Sequence, residues 1–233
     1  MHTICNEIYA LSIHHNTKFQ SILNQNLNND VHFIYALSKD FGACGFRVGF
    51  LYTQNTNLIS CLANLNTFSA ISQPMQMVVS DLMNDDSFIR YYLDESRLAL
   101  HKSYNIITRK LDEMVIPYIP ASAGCFIYVD FSSLLPSQTK QGEERFAKLV
   151  QDVARVIITP GSTMKDCHFG FFRICYAWVT CEVLEIGMER LTYLITKIRK
   201  IDWEELGKLD LRSVTKNALR KKSSFMNVME WSK

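Results

Sequence analysis

The spacing of apolar positions changes several times along the chain, and each change marks an element. Thr3-Ile4-Cys5 reads as the end of a buried strand. His32 to Ser38 and Arg47 to Thr53 are short runs rich in aromatic and aliphatic residues, which predict two strands. The Asn-rich residues 24–30 and the glycine-bearing residues 39–46 read as loops. Asn57 to about Ser69 has helical spacing, as has Gln73 to about Asn84. The second of these is opened by Pro74, whose missing N–H has no partner to lose in a first turn. Ser87 to Met114 is a long periodic segment with Phe88, Tyr91, Leu98, Leu100 and Ile107 on apolar faces.

The second half alternates strand, helix, strand, strand, helix. Ala123 to Phe131 predicts a strand, Glu143 to Ala154 a helix, and Val156 to Thr159 a strand stopped by Pro160-Gly161. Phe171 to Ala177 predicts a further strand. Glu182 to Lys200 predicts a helix that turns Val183, Ile186, Leu191, Leu194, Ile195 and Ile198 to a core. The pattern implies an α/β architecture in two parts: residues 1–95 in a larger domain, 96–200 in a smaller one, and a tail over 201–233. There are no internal repeats.

Composition narrows the function classes. Of 233 residues, 48% are hydrophobic and 21% charged, which supports a sizeable core and excludes a disordered chain. Lys plus Arg is 25 and Asp plus Glu 23, a net charge of +2, so electrostatics give no reason to expect nucleic acid as a partner. No run approaches the ~18 apolar residues of a membrane span, and the first residues lack the pattern of a signal peptide. Seven cysteines with no C-x-x-C pair predict a reduced, cytoplasmic protein without disulfides. Cys5, Cys44, Cys61 and Cys125 read as buried thiols. Cys167-His168 and the Cys175/Cys181 pair lack zinc-type spacing, so no metal site is expected. His14-His15 and the basic run Arg220-Lys221-Lys222 beside Ser223-Ser224 read as solvated. Phe88, Tyr91 and Tyr92 read as core packing, and Ser162 after Gly161 lacks the G-x-S-x-G frame of a nucleophile elbow.

The segment between the two N-terminal strands carries the chemistry. A loop this short cannot make a parallel crossover, which needs roughly a dozen residues or more, so the strands are expected to be antiparallel neighbours. Lys39 after the first and Arg47 at the start of the second then lie side by side at one sheet edge, with only Asp40 as an acidic neighbour. Paired cations there suggest an anionic ligand.

Ser38-Lys39-Asp40-Phe41-Gly42 through Gly45-Phe46-Arg47-Val48-Gly49 resembles the lysine motif of fold-type-I pyridoxal-phosphate enzymes. The likeness is greatest to 1-aminocyclopropane-1-carboxylate synthase and its animal synthase-like relatives, and class I aminotransferases are similar. The resemblance gives Lys39 the covalent bond to pyridoxal 5'-phosphate, with a lowered pKa from burial beside a second cation. It gives Arg47 the phosphate, to which a guanidinium fork is suited. Asn6-Glu7-Ile8-Tyr9 resembles the family's Asp-Glu-Ile-Tyr, placing Asn6 at the pyridine nitrogen and Tyr9 at the ring oxygen. Phe171-Phe172-Arg173-Ile174-Cys175 resembles the segment whose arginine, here Arg173, clamps the substrate carboxylate. Ala123 to Phe126 and Ile158 to Ser162 also follow the family pattern, in order, across residues 1 to about 200. The implied fold is the C-terminal portion of a fold-type-I transferase: part of the large-domain sheet plus the small α/β domain. Implied partners are an amino-acid substrate and, in the full-length family, a second copy in a homodimer.

Departures from the pattern bear on activity. Asn6 stands where the family has aspartate; it carries no charge to keep the ring nitrogen protonated, so carbanion chemistry is expected to weaken. Ala36 removes a hydroxyl from the phosphate site, Trp178 stands where synthases carry asparagine, and His168-Phe169-Gly170 replaces Glu-Pro-Gly. Family members are nearly twice as long, which is consistent with a fragment, an alternative product or an incomplete gene model. Two readings follow. One is a pyridoxal-phosphate enzyme of amino-acid metabolism, acting by transamination or by elimination and ring closure. The other is a degenerate, inactive relative serving as an interaction or structural subunit.

Overall fold

The computed structural model describes residues 1–14, 17–200 and 203. His15, the basic run Arg220-Lys221-Lys222 with its serines, and all of the expected tail except Trp203 lie outside the described residues. The chain divides into two compact units, Met1–His101 with Ser122–Gly124, and Lys102–Ala121 with the residues from Cys125 on.

In the first unit, β1 (Thr3–Asn6) pairs in parallel with β2 (Val31–Ala36), Asn6 opposite Ile34. A one-turn helix α1 (Leu37–Asp40) follows β2 directly, then β3 (Gly49–Thr53) returns antiparallel to β2, Ala36 opposite Gly49. The antiparallel pairing is the one the short connection requires. The second strand starts two residues later than the sequence pattern places it. Cys44–Phe46 form a 3-10 turn and Arg47 is left-handed (φ 56°), so neither can extend the ladder. β1 is not buried either: Ile4 is 66% exposed, because among the described residues β1 has a strand on one side only.

Helices α2 (Thr56–Asn66) and α3 (Gln73–Asn84) follow, the first capped by the Asn55 side chain on Leu58 N (2.9 Å), the second opened by Pro74. α3 sends Met75, Val79 and Met83, spaced four apart on one face, onto Leu37 and Val48, and this small core is completed by Tyr35, Phe41, Phe46 and Ile71. α4 (Asp86–Glu113) begins with the Asp85 carboxylate on Phe88 N (2.9 Å). Its first half packs through Tyr92, whose ring stacks on Phe41 at 5.6 Å. Phe88, Leu98 and, at 68% exposure, Tyr91 are not core residues; only Leu100 and Ile107 of the expected set are buried. The reason is that a helix touching one neighbour buries a single stripe.

The second unit is built on a four-stranded antiparallel sheet. Its strands are β4 (Tyr118–Ile119), β5 (Phe126–Asp130), β6 (Thr159–Pro160) and β7 (Phe171–Cys175), in the order β4-β5-β7-β6. β4 has no sequence signature beyond two residues between prolines. Val156 to Ile158 do not form a strand. α5 (Lys140–Leu149) runs on through a π-helical turn, Val150–Ala154, and stops at Arg155 (φ 55°), leaving Ile157 79% exposed. α6 (Cys181–Ile198) is capped by Thr180 and buries Leu184, Met188, Leu191, Leu194 and Ile195. Val183, expected inward, is 45% exposed; the cap sets the helix phase, and Leu184 takes the inward position.

The core of this unit combines Ile107 and Leu111 of α4 with Ile127 and Val129 of β5 and Phe172 and Ile174 of β7. The rings of Phe131, Phe146 and Phe172 meet at centroid distances of 5.3–5.7 Å. Glu143, in the first turn of α5, is fully buried and accepts from Ser162 N (3.2 Å) and Gly170 N (3.0 Å). It therefore satisfies two loop donors that would otherwise be stranded. No disulfide joins the seven cysteines, but they are less buried than their apolar settings imply: Cys44 and Cys61 are exposed, Cys5 and Cys125 half-buried.

Burial decides how much an apolar truncation should cost. Phe146→Ala, at a fully buried ring inside the aromatic trio, is expected to destabilise by about 3–5 kcal/mol. Ile59→Ala, on the exposed side of α2, should change stability by less than about 0.5 kcal/mol. Urea unfolding followed by circular dichroism separates the two; equal effects would contradict this packing.

Candidate functional site

The register fixes one end of the first sheet. Asn6 ends β1, Ala36 ends β2 and Gly49 begins β3, so the segments bearing Tyr9, Lys39 and Arg47 all leave or enter the sheet at that end. Asn6 is exposed, and its Oδ1 accepts from Ile8 N (3.2 Å), closing a tight turn that leads to Tyr9. Tyr9 is half-buried, and its carbonyl accepts from Ser12 N (3.2 Å). Arg47 is exposed and commits one donor, Nη1, to Cys44 O (3.2 Å).

Lys39 is exposed, where the resemblance implied a buried lysine. The cause is local: α1 is a single turn, and it spends its inward positions on Leu37 and Asp40. Asp40 is 2% exposed and is not the counterion of either cation. Its carboxylate accepts from Leu11 N (3.0 Å), Ser12 Oγ (2.5 Å) and the Tyr35 hydroxyl (3.0 Å). Burial, then the charge of Asp40, pushes the ionisation of Tyr35 far up, so its phenol stays a donor. Neither Lys39 nor Arg47 forms an ion pair among the described residues. Two cations are left without acidic partners at one strand end, an arrangement suited to a phosphate. The role of Asp40 was hidden in the sequence, where an acid beside a lysine reads as its partner.

Arg173 belongs to the second unit. It lies on β7 between Tyr128 of β5 and Thr159 of β6. Its guanidinium sits 4.5 Å over the Phe126 ring, and its Nε is buried with no hydrogen-bond partner among the described residues. A cavity of about 400 Å³ is lined by Arg173 together with Phe126, Tyr128, Met164, Lys165 and Asp166. Asp166, the one acid on that wall, is already engaged by the Tyr128 hydroxyl (2.5 Å) and His168 N (2.9 Å). The Tyr128 bond, followed by that of His168, lowers its pKa. An unsatisfied guanidinium donor braced on an aromatic face can take a carboxylate. Two positions along β7 lies Cys175, whose pKa is lowered to about 6. The hydrogen bond from Cys125 contributes most, then the N–H groups of Ala177 and Trp178 and the charge of Arg173. Neither the cavity nor this thiol pair has a sequence signal beyond the motif around Arg173.

The family model for aminotransferase class I and II matches residues 1–191. The chain is 33% identical over 197 residues to 1-aminocyclopropane-1-carboxylate synthase 4 of Solanum lycopersicum, a match covering 82% of this chain and 41% of that protein. It is 30% identical to 1-aminocyclopropane-1-carboxylate synthase-like protein 1 of Arabidopsis thaliana, with 82% and 40% covered. Among solved structures, the aromatic aminotransferase of Pyrococcus horikoshii OT3 aligns with a TM-score of 0.77 at 21% identity, covering 86% of this chain and 52% of that one. The aspartate aminotransferase of Thermus thermophilus with maleate aligns with a TM-score of 0.72 at 20% identity, covering 82% and 48%. The chain thus spans about two fifths of the length of the curated relatives it matches.

Two outcomes test the site. Asp40→Asn removes the charge that three donors share and should destabilise the first unit by about 1.5–3 kcal/mol, read as a shift in urea midpoint. An unchanged midpoint would mean that the network contributes nothing. For Cys175, folding favours the thiolate, since its pKa falls from the ordinary 9.0 to about 6. Its stabilisation is therefore complete above about pH 9 and lost as pH falls through about 6. Alkylation at Cys175, followed by peptide mass spectrometry, should rise with a midpoint near pH 6 in the folded chain; a midpoint near 9 would refute the assignment.

Proposed function

The chain belongs to the aminotransferase class I and II family, and we propose that it holds pyridoxal phosphate through Lys39 and Arg47 while turning over amino acids only weakly. The observation that carries this reading is the consumption of the Asp40 carboxylate by Leu11, Ser12 and Tyr35, which leaves the lysine and arginine at the strand end for an aldehyde and a phosphate. The residues present fit the cofactor in these two respects. Arg47 keeps most of its five N–H donors after its single bond to Cys44 O. Lys39 is reachable from solvent and has no acidic partner among the described residues.

When bound, pyridoxal phosphate supplies an electron sink to the carbon next to an amino-acid nitrogen. The residues of this chain divide the remaining work. Lys39 Nζ would hold the cofactor, and the same amine could move a proton at that carbon. Arg47 would hold the phosphate, and Tyr9 would serve the ring as a phenol donor. Arg173, braced on Phe126, takes the substrate carboxylate. Asn6 is the weak member: an uncharged amide cannot hold a proton on the ring nitrogen as a carboxylate does, so the sink is shallower. The loss falls on the transition state and therefore on kcat rather than on cofactor binding. A 1-aminocyclopropane-1-carboxylate-synthase-like substrate class, a homodimeric assembly and a cytoplasmic setting belong to the same proposal. No helix among the described residues is long and apolar enough to cross a membrane.

The test separates binding from turnover. Incubation with pyridoxal phosphate and reduction with borohydride should mark Lys39, as read by peptide mass spectrometry, and Arg47→Ala should lower the marking at limiting cofactor about tenfold or more. Turnover on a panel of amino acids should be slow. No mark on Lys39 would overturn the binding proposal, and rapid Lys39-dependent turnover would overturn the weak one.

A further inference from the structure

A cluster outside the expected site combines three kinds of metal-ligating atom. Asp166, Cys167 and His168 follow one another in the loop between β6 and β7, and a carboxylate oxygen, the Cys167 Sγ and a ring nitrogen of His168 lie within 4.8 Å of one another. Two of the three separations are much shorter. His168 Nδ1 is 3.3 Å from Asp166 Oδ1 and 3.4 Å from Cys167 Sγ. Tetrahedral zinc, with bonds of about 2.0–2.1 Å to nitrogen or oxygen and 2.3 Å to sulfur, holds its ligand atoms roughly 3.3–3.6 Å apart. The loop therefore already presents two edges of such a tetrahedron, and the third closes by rotating the exposed Cys167 side chain.

The support around the cluster is rigid on one side and open on the other. The Tyr128 hydroxyl donates to Asp166 Oδ2, which orients the carboxylate and leaves Oδ1 toward His168. The loop is pinned at both ends. Lys165 is left-handed (φ 68°), and Gly170 (φ 101°) donates its N–H to buried Glu143. Only glycine fits there, since a Cβ would come within 2.4 Å of Ser132 Cα. Cys167 and His168 are exposed, so an ion has a path in. The same exposure leaves room for a fourth, exchangeable ligand from solvent. A thiolate and a carboxylate together balance the charge of a divalent ion.

We propose that Asp166, Cys167 and His168 form a three-ligand site for a borderline divalent transition-metal ion, with its fourth coordination position open to solvent. Zinc(II) is the probe. The sequence alone discouraged this reading, because Cys167-His168 has no second pair at zinc-finger spacing; the third ligand is the adjacent acid, brought in by the turn. The site is independent of pyridoxal phosphate.

Calorimetric titration of the reduced chain with zinc(II) near neutral pH should give one equivalent bound, and cobalt(II) should give a thiolate-to-metal charge-transfer band. Cys167→Ser should abolish that band, and Cys167→Ser and His168→Ala should each weaken zinc about tenfold or more. Tyr128→Phe should weaken it by about tenfold through the carboxylate it orients. Cys44→Ser, at an exposed cysteine elsewhere, should change nothing. Both ligand side chains are exposed, so these variants should keep the circular dichroism of the parent. Unaltered binding in Cys167→Ser or His168→Ala, or no saturable binding up to about 1 mM zinc, would overturn the proposal.

Discussion

The first unit depends on one buried carboxylate. Asp40 gathers a backbone N–H from the segment after β1, a serine hydroxyl from the same segment, and the Tyr35 phenol from β2. A buried charge with three donors is stable; the same charge with fewer would demand water or a counterion. By drawing those donors inward, Asp40 fixes the path from β1 to Ser12 against the end of α1. It also removes itself from competition for Lys39 and Arg47. The placement of a structural acid thus decides the electrostatics of the candidate site next to it.

The two units reach order by different means. The second buries apolar residues from α4, α5, α6 and the two central strands, with three phenylalanine rings in mutual contact. The first relies on a few apolar contacts around Leu37, Val48 and Val79 and on polar ties. Its β3 exposes Phe50, Leu51 and Tyr52 in succession, so both faces of that strand carry uncovered apolar area. Hydrophobic burial therefore supplies less of its stability, and the Asp40 network a larger share.

Much of this was legible in the sequence, for physical reasons that differ by element. Pro74 announced the start of α3, and the short connection after β2 required an antiparallel partner. The four-residue spacing of Met75, Val79 and Met83 reports the face that packs. Periodicity failed where context decides: Tyr91 and Val183 keep the right spacing yet are left exposed among the described residues. It failed again at Val156 to Ile158, a β-branched run left as irregular chain after the helix stops at Arg155. For the candidate site, the motifs singled out Lys39, Arg47 and Arg173. They could not show that Asp40 turns inward or that Asp166 joins Cys167 and His168, since both depend on turn geometry rather than on spacing.

Glu143 links events that sequence distance would separate. One oxygen of its carboxylate binds Ser162 N and the other Gly170 N, so a single side chain in the first turn of α5 clamps both ends of the loop that carries Met164 to His168. Neither end can fray without leaving part of a buried charge unsatisfied. The loop should therefore open as one cooperative segment, in step with the first turn of α5, and its amide protons should exchange with solvent as a group. A surface loop tied in this way behaves kinetically as part of the helix beneath it.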